Sequence, residues 1–143
     1  MDYAYCPPDS GDHYIVAGRA PLPRNFYDSN DDPTPEYWLH NLEHGWVVLL
    51  YKNDSTPGDA PSAAELSAMK AFYDSAPQST YTPNSCLTVP NKVIAVPFND
   101  MTTRFALLAW DRALLTDTFD PQQALTFYTQ WVDSPQAAEH GIC

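Results

Sequence analysis

The segment His40-Asn41-Leu42-Glu43-His44 sets two of the chain's four histidines four positions apart, with a carboxylate beside the second. On a helix, residues four apart share a face, so both imidazoles can reach one ion. Neutral imidazole suits zinc, copper, nickel and iron, and a nearby carboxylate orients or completes the shell. The order His-x-x-Glu-His is also that of inverted zinc peptidases, where the Glu serves as general base. Three readings follow: a metal site, a hydrogen-bonded histidine pair that caps a helix, and peptidase-like catalysis. The metal site is the one taken forward, because it explains both histidines and the carboxylate at once.

Two further residues extend the ligand set. His13 lies in the loop Ser10-Gly11-Asp12-His13, and Met101 lies in the turn between the two later strands. A thioether is a soft ligand that selects copper, above all the reduced ion, over zinc. His13, His40, His44 and Met101 are therefore the expected metal ligands, with copper as the preferred ion and zinc as the alternative. Glu43 is expected to support the ligands from behind. Taken alone, Met101 reads as core filler, as methionines beside strands usually are. His140 stands near the end of the chain and is read as a solvated residue. The aspartates at positions 9, 12, 28, 31 and 32 lack the Asp-x-Asp-x-Asp-Gly spacing of a calcium loop and read as turn caps or a solvated face.

These residues need elements to hold them. Pro35 to His40 opens a short helix with Thr34 as N-cap and Pro35 in its first position, and Gly45 ends it. Trp46 to Tyr51 is an unbroken apolar run, the pattern of a central strand buried on both faces. Ser62-Ala63-Ala64-Glu65 has the spacing of a capping box, and Leu66, Met69, Tyr73 and Ala76 follow on one helical face. Strands are predicted over Lys92 to Val96 and Arg104 to Trp110, with Pro97-Phe98-Asn99-Asp100 turning the chain between them. Asp120-Pro121 starts a last helix, whose Leu125, Tyr128 and Val132 face the core. Fourteen prolines, many before residue 36, make residues 1–35 an extended segment wrapped on the core, with Tyr14, Ile15, Val16, Phe26 and Tyr27 available for burial. The sum is an α+β fold: a small, mainly antiparallel sheet, two packed helices and a long Pro-rich N-terminal loop segment. Residues 1–143 are read as one domain.

Composition narrows the partners. Seven Lys and Arg against eighteen Asp and Glu give a net charge of −11, with no basic cluster. Nucleic acid and anionic membrane surfaces are disfavoured, since both are bound by neutralising phosphates with basic residues. Cations are concentrated by such a field. No apolar run is long enough to span a bilayer. Met1 to Cys6 lacks the basic and apolar regions of a signal peptide, so an exported protein would have lost its signal or anchor from this segment. Cys6, Cys86 and Cys143 show no Cys-x-x-Cys spacing; in an oxidising compartment two would pair, in a combination the spacing leaves open. Nucleophile elbows, phosphate loops and dinucleotide fingerprints are absent from a sequence with only five glycines.

The stretch Pro7-Pro8-Asp9-Ser10-Gly11-Asp12-His13, with His40-Asn41-Leu42-Glu43-His44-Gly45 and the Val47-Val48 strand, resembles domain-of-unknown-function family 3105. Members carry Pro-Pro-x-Ser-Gly-x-His, then His-x-Leu-Glu-His-Gly and a Val-Val strand. Pro97 to Met101 and Ala109-Trp110 match its later pattern of Pro and Met followed by Ala-Trp. The resemblance covers about residues 7 to 134. It implies an extracytoplasmic domain, often behind a membrane anchor, and supplies no established activity. His13, His40, Glu43, His44 and Met101 are the matching positions; that all are ligand types comes from their chemistry. Asp12 stands where the family commonly has Pro, and Trp46 where it has a small residue. The expectation is a secreted or cell-surface metal-binding protein without catalysis, with no protein partner specified. A zinc or copper enzyme using Glu43 as base and a metal-free interaction module are the alternatives.

Overall fold

The computed structural model describes residues 2–28, 30, 31, 33–53, 59–81 and 88–143. Seven elements follow along them: α1 (Pro35–Glu43), β1 (Val47–Tyr51), α2 (Ala63–Ser75), β2 (Val93–Pro97), β3 (Phe105–Ala109), β4 (Arg112–Thr116) and α3 (Pro121–Trp131). The strands form one sheet in the order β2-β1-β3-β4. β1 runs parallel to β2 and antiparallel to β3, and β3 pairs antiparallel with β4. The α+β architecture with a mainly antiparallel sheet is therefore present.

All five residues of β1 are buried, as the continuous apolar run requires of a strand covered on both faces. Val47, Leu49 and Tyr51 point to one side, where α2 and α3 supply Met69, Phe72, Tyr73, Ala124, Phe127 and Tyr128. Val48 and Leu50 point to the other, where α1 supplies Trp38, Leu39 and Leu42. Two helices do pack together on one face. The third, α1, covers the opposite face, so the sheet is the middle of three layers.

Local signals explain most of the element ends. Ser62 and Glu65 make the reciprocal capping box at the start of α2, and the Asp120 side chain accepts from the amide of Gln122 at the start of α3. At α1 the N-cap Thr34 precedes Pro35 but makes no side-chain cap bond. The strand β4 was not predicted: its alternating half-buried and exposed residues are the mark of an edge strand, weaker than the apolar runs of β1 and β3. It is reached through a tight turn in which Asp111 takes a φ of 56°. The opposite edge, β2, is shielded by the N-terminal segment, since Tyr27 donates to the Ala95 carbonyl and the Ala95 amide donates to Asn25.

That segment is buried only in part: Leu22 is buried and Phe26 and Tyr27 pack against the two core clusters, but the stretch from Tyr14 to Val16 is not. Ile15 is 83% exposed, and Tyr14 and Val16 are exposed as well. Its anchorage is through the main chain: the Tyr14 amide donates to the Glu36 carbonyl and the Asp111 amide to the Asp9 carbonyl. Hydrogen bonding, rather than side-chain burial, fixes the loop over α1.

Candidate metal centre

α1 ends in a left-handed glycine turn. Gly45, at φ 84°, donates to Leu42, and Trp46 donates to Asn41, the two bonds of a Schellman motif. A side chain at Gly45 would lie 2.8 Å from the Asp133 backbone, so glycine serves both the turn and a close chain approach. His40 and His44 thus fall on the last turn and the cap of one helix, both buried. Their rings meet edge to face, with centroids 4.6 Å apart.

The N-terminal loop brings the third imidazole. The His13 ring lies 4.9 Å from that of His40, and the Trp110 ring stands edge-on to it at 6.3 Å. His40 Nδ1 donates to the Tyr14 carbonyl at 2.9 Å, which leaves Nε2 with its lone pair. This carbonyl contact is the kind that fixes the tautomer of a metal-binding histidine. His13 Nδ1 lies 3.0 Å from the Gly11 carbonyl, and its Nε2 lies 3.0 Å from Glu43 Oε2. Both nitrogens of His13 face acceptors. Such a ring needs either a second proton or a cation between Nε2 and the carboxylate.

His44 faces the other way, its Nε2 3.1 Å from Glu139 Oε2. The result is a row, Glu43, His13, His40, His44, Glu139, with a carboxylate at each end. Burial holds the His44 imidazole below its ordinary pKa, helped by the neighbouring His40 and opposed by the Cys143 main chain and Glu139. Among the described residues, two sets offer ligand atoms within 4.8 Å of one another: His13, His40 and Glu43, and His40, His44 and Glu139. Two imidazoles and a carboxylate suit a divalent first-row ion and leave coordination positions open.

The structure brings His13, His40 and His44 together and stands Glu43 alongside them rather than behind. Met101 is 6% exposed and belongs to the apolar cluster of Trp38, Leu39 and Leu42. His140 is half-buried, its Nδ1 2.8 Å from the Ala137 carbonyl and its ring against Tyr81, and it joins neither set. Of the cysteines, Cys6 is exposed and free, its Sγ 2.5 Å from the Asp100 carbonyl, while Cys86 lies outside the described residues.

Three residues around the site carry no motif signal in the sequence: Glu139, Lys92 and Asp133. Lys92 is buried at the entry to β2, with Nζ donating to the His44 carbonyl at 3.0 Å, the Ile142 carbonyl at 2.9 Å and Asp133 Oδ1 at 2.5 Å. Asp133, at φ 50°, also accepts from the Gly141 amide. This ion pair ties the C-terminal tail to the end of α1, and the Glu139 amide donates to the Glu43 carbonyl in the same contact. Only a lone lysine at a strand start hints at it in the sequence.

No helix among the described residues is long and apolar enough to cross a membrane. No curated protein and no solved structure matches the chain. The family described as "Protein of unknown function (DUF3105)" matches residues 1–143, and the chain belongs to it.

Proposed function

We propose that this protein is an extracytoplasmic metal-binding domain that takes up copper through His13, His40 and His44. The observation that carries the reading is the row itself: three imidazoles in ring contact, flanked by two carboxylates, with His40 held by a main-chain carbonyl in the tautomer a ligand needs. The net charge of −11 favours cation capture. Copper is preferred because imidazole sites bind Cu(II) above zinc in the first-row order. With Cys6 free, the pair that an oxidising compartment would join is Cys86 with Cys143.

A bracing role for the histidines predicts imidazoles bonded to the backbone, as His40 is to Tyr14, and rings that point apart, whereas the rings of His40 and His44 are in contact. Catalysis would call for a cleft at the site. Among the described residues, the cavity of about 520 Å³ walled by Phe26, Tyr51 and Leu66 and that of about 440 Å³ walled by Phe72, Ala76 and Leu125 contain none of the histidines.

The test is metal analysis of protein dialysed against micromolar Cu(II) and Zn(II). Wild type should retain copper, and H40A and H44A should lose it. Retention of neither ion by the wild type, or unchanged retention by both variants, would sink the reading.

A further inference from the structure

The two ligand sets share one residue. His40 belongs with His13 and Glu43 on one side and with His44 and Glu139 on the other. Its Nδ1 is committed to the Tyr14 carbonyl, so a single nitrogen, Nε2, is left to serve both. One lone pair binds one ion. Resting on the metal-binding reading above, we infer that the row offers two overlapping positions for a single divalent ion, with His40 as the ligand kept in both.

The two ends are built differently. At the first, Glu43 is mostly covered, its side chain 22% exposed, and His13 closes over it from the N-terminal loop. At the second, Glu139 is 49% exposed and reaches in from the C-terminal tail. Each position supplies three protein ligands, where a closed structural site would supply four. An ion can therefore pass from the Glu139 end to the Glu43 end while still bound to His40: it exchanges His44 and Glu139 for His13 and Glu43. Solvent completes the shell at either position. The arrangement is that of a capture-and-transfer site rather than a permanent structural one.

The ligands are interchangeable in kind, so removing one carboxylate should weaken the protein without emptying it. Intact protein is titrated with Cu(II), and frozen samples at one equivalent are examined by electron paramagnetic resonance. Wild type should bind one equivalent and show two superimposed signals. E43Q and E139Q should each still bind one equivalent and lose no more than about 2-fold in affinity when the two positions are equally filled, because each variant keeps the other position. Each should keep a different one of the two signals. The double variant should fall by more than the product of the two single losses, since neither position then keeps its carboxylate. H40Q, matched in size, should lose both signals.

Two equivalents in the wild type would overturn the inference, as would a loss of more than about 10-fold in both single carboxylate variants, which two alternative positions forbid, or a single signal common to all. Those outcomes leave metal binding intact. A wild type that binds no copper overturns the proposed function itself.

Discussion

Two groups of buried polar side chains meet at the C-terminal end of α1, and His44 belongs to both. Its carbonyl accepts from Lys92, and its ring joins the histidine row. Around Lys92, each of the three ammonium protons has an oxygen to donate to, and its charge is balanced by Asp133. In the histidine row, by contrast, the rings face one another and two carboxylates, with His40 Nε2 left over and both nitrogens of His13 set against acceptors. In the first group the ammonium is fully matched, and Asp133 Oδ2 alone is buried without a partner among the described residues. The second is complete only with protons or a cation. A matched buried charge pair holds structure together, whereas facing acceptors call for a proton, a water or an ion between them.

The sharpest way to break this comparison is to damage each group and compare stabilities. Lys92→Met leaves Asp133 buried and unpaired and two main-chain carbonyls without a donor. It should cost about 3–5 kcal/mol, read as a lowered urea midpoint, with or without copper. H40Q should cost no more than about 1–2 kcal/mol for its single carbonyl contact, yet abolish copper retention. Equal costs for the two variants would mean that the histidines are as structural as the lysine.

Gly45 tests the junction between the groups. Alanine there must adopt a left-handed φ and push against the Asp133 backbone. G45A should lose about 2 kcal/mol or more, seen as a drop in Tm. Because the turn seats both His44 and the tail, copper affinity should fall with it. Wild-type affinity in a folded G45A protein would separate the site from the turn.

The smallest expected effect is that of pH on the metal-free protein. Burial lowers the His44 pKa in the folded state, while the unfolded chain takes up its proton near about 6.5. The unfolded state therefore binds more protons just below that value. The His44 contribution is full above about pH 6.5 and is lost as pH falls toward the lowered folded pKa. Tm measured from pH 8 to pH 5 should fall further for wild type than for H44N. Parallel curves would show that the ring is solvated and free to titrate.

Much of the fold was legible because its signals are local. The run Val47 to Tyr51 announces a doubly covered strand, and Ser62 with Glu65 announces a helix start; both depend on neighbours only a few residues away. β4 escaped because an edge strand buries too little to show a strong pattern. The exposure of Ile15 was hidden because its loop is held by backbone bonds, which any residue can make. Within the site, His40, Glu43 and His44 were readable from helical spacing, and His13 from its motif. Glu139, Lys92 and Asp133 were not. Their role depends on a tail folded back across the chain, and no short-range pattern encodes that.

The row also has a consequence for how the protein matures. His13 comes from the N-terminal loop and Glu139 from the C-terminal tail, and both close onto α1, so both loop closures precede a complete site. A nascent or trimmed chain holds at most part of the row. Under the proposed reading, an ion at either position would latch one end of the chain onto α1, and at 100-fold above its Kd it would stabilise that closure by about 2.7 kcal/mol. A protease that clips one end would remove one position and leave the other, so the surviving position would report which end had been lost.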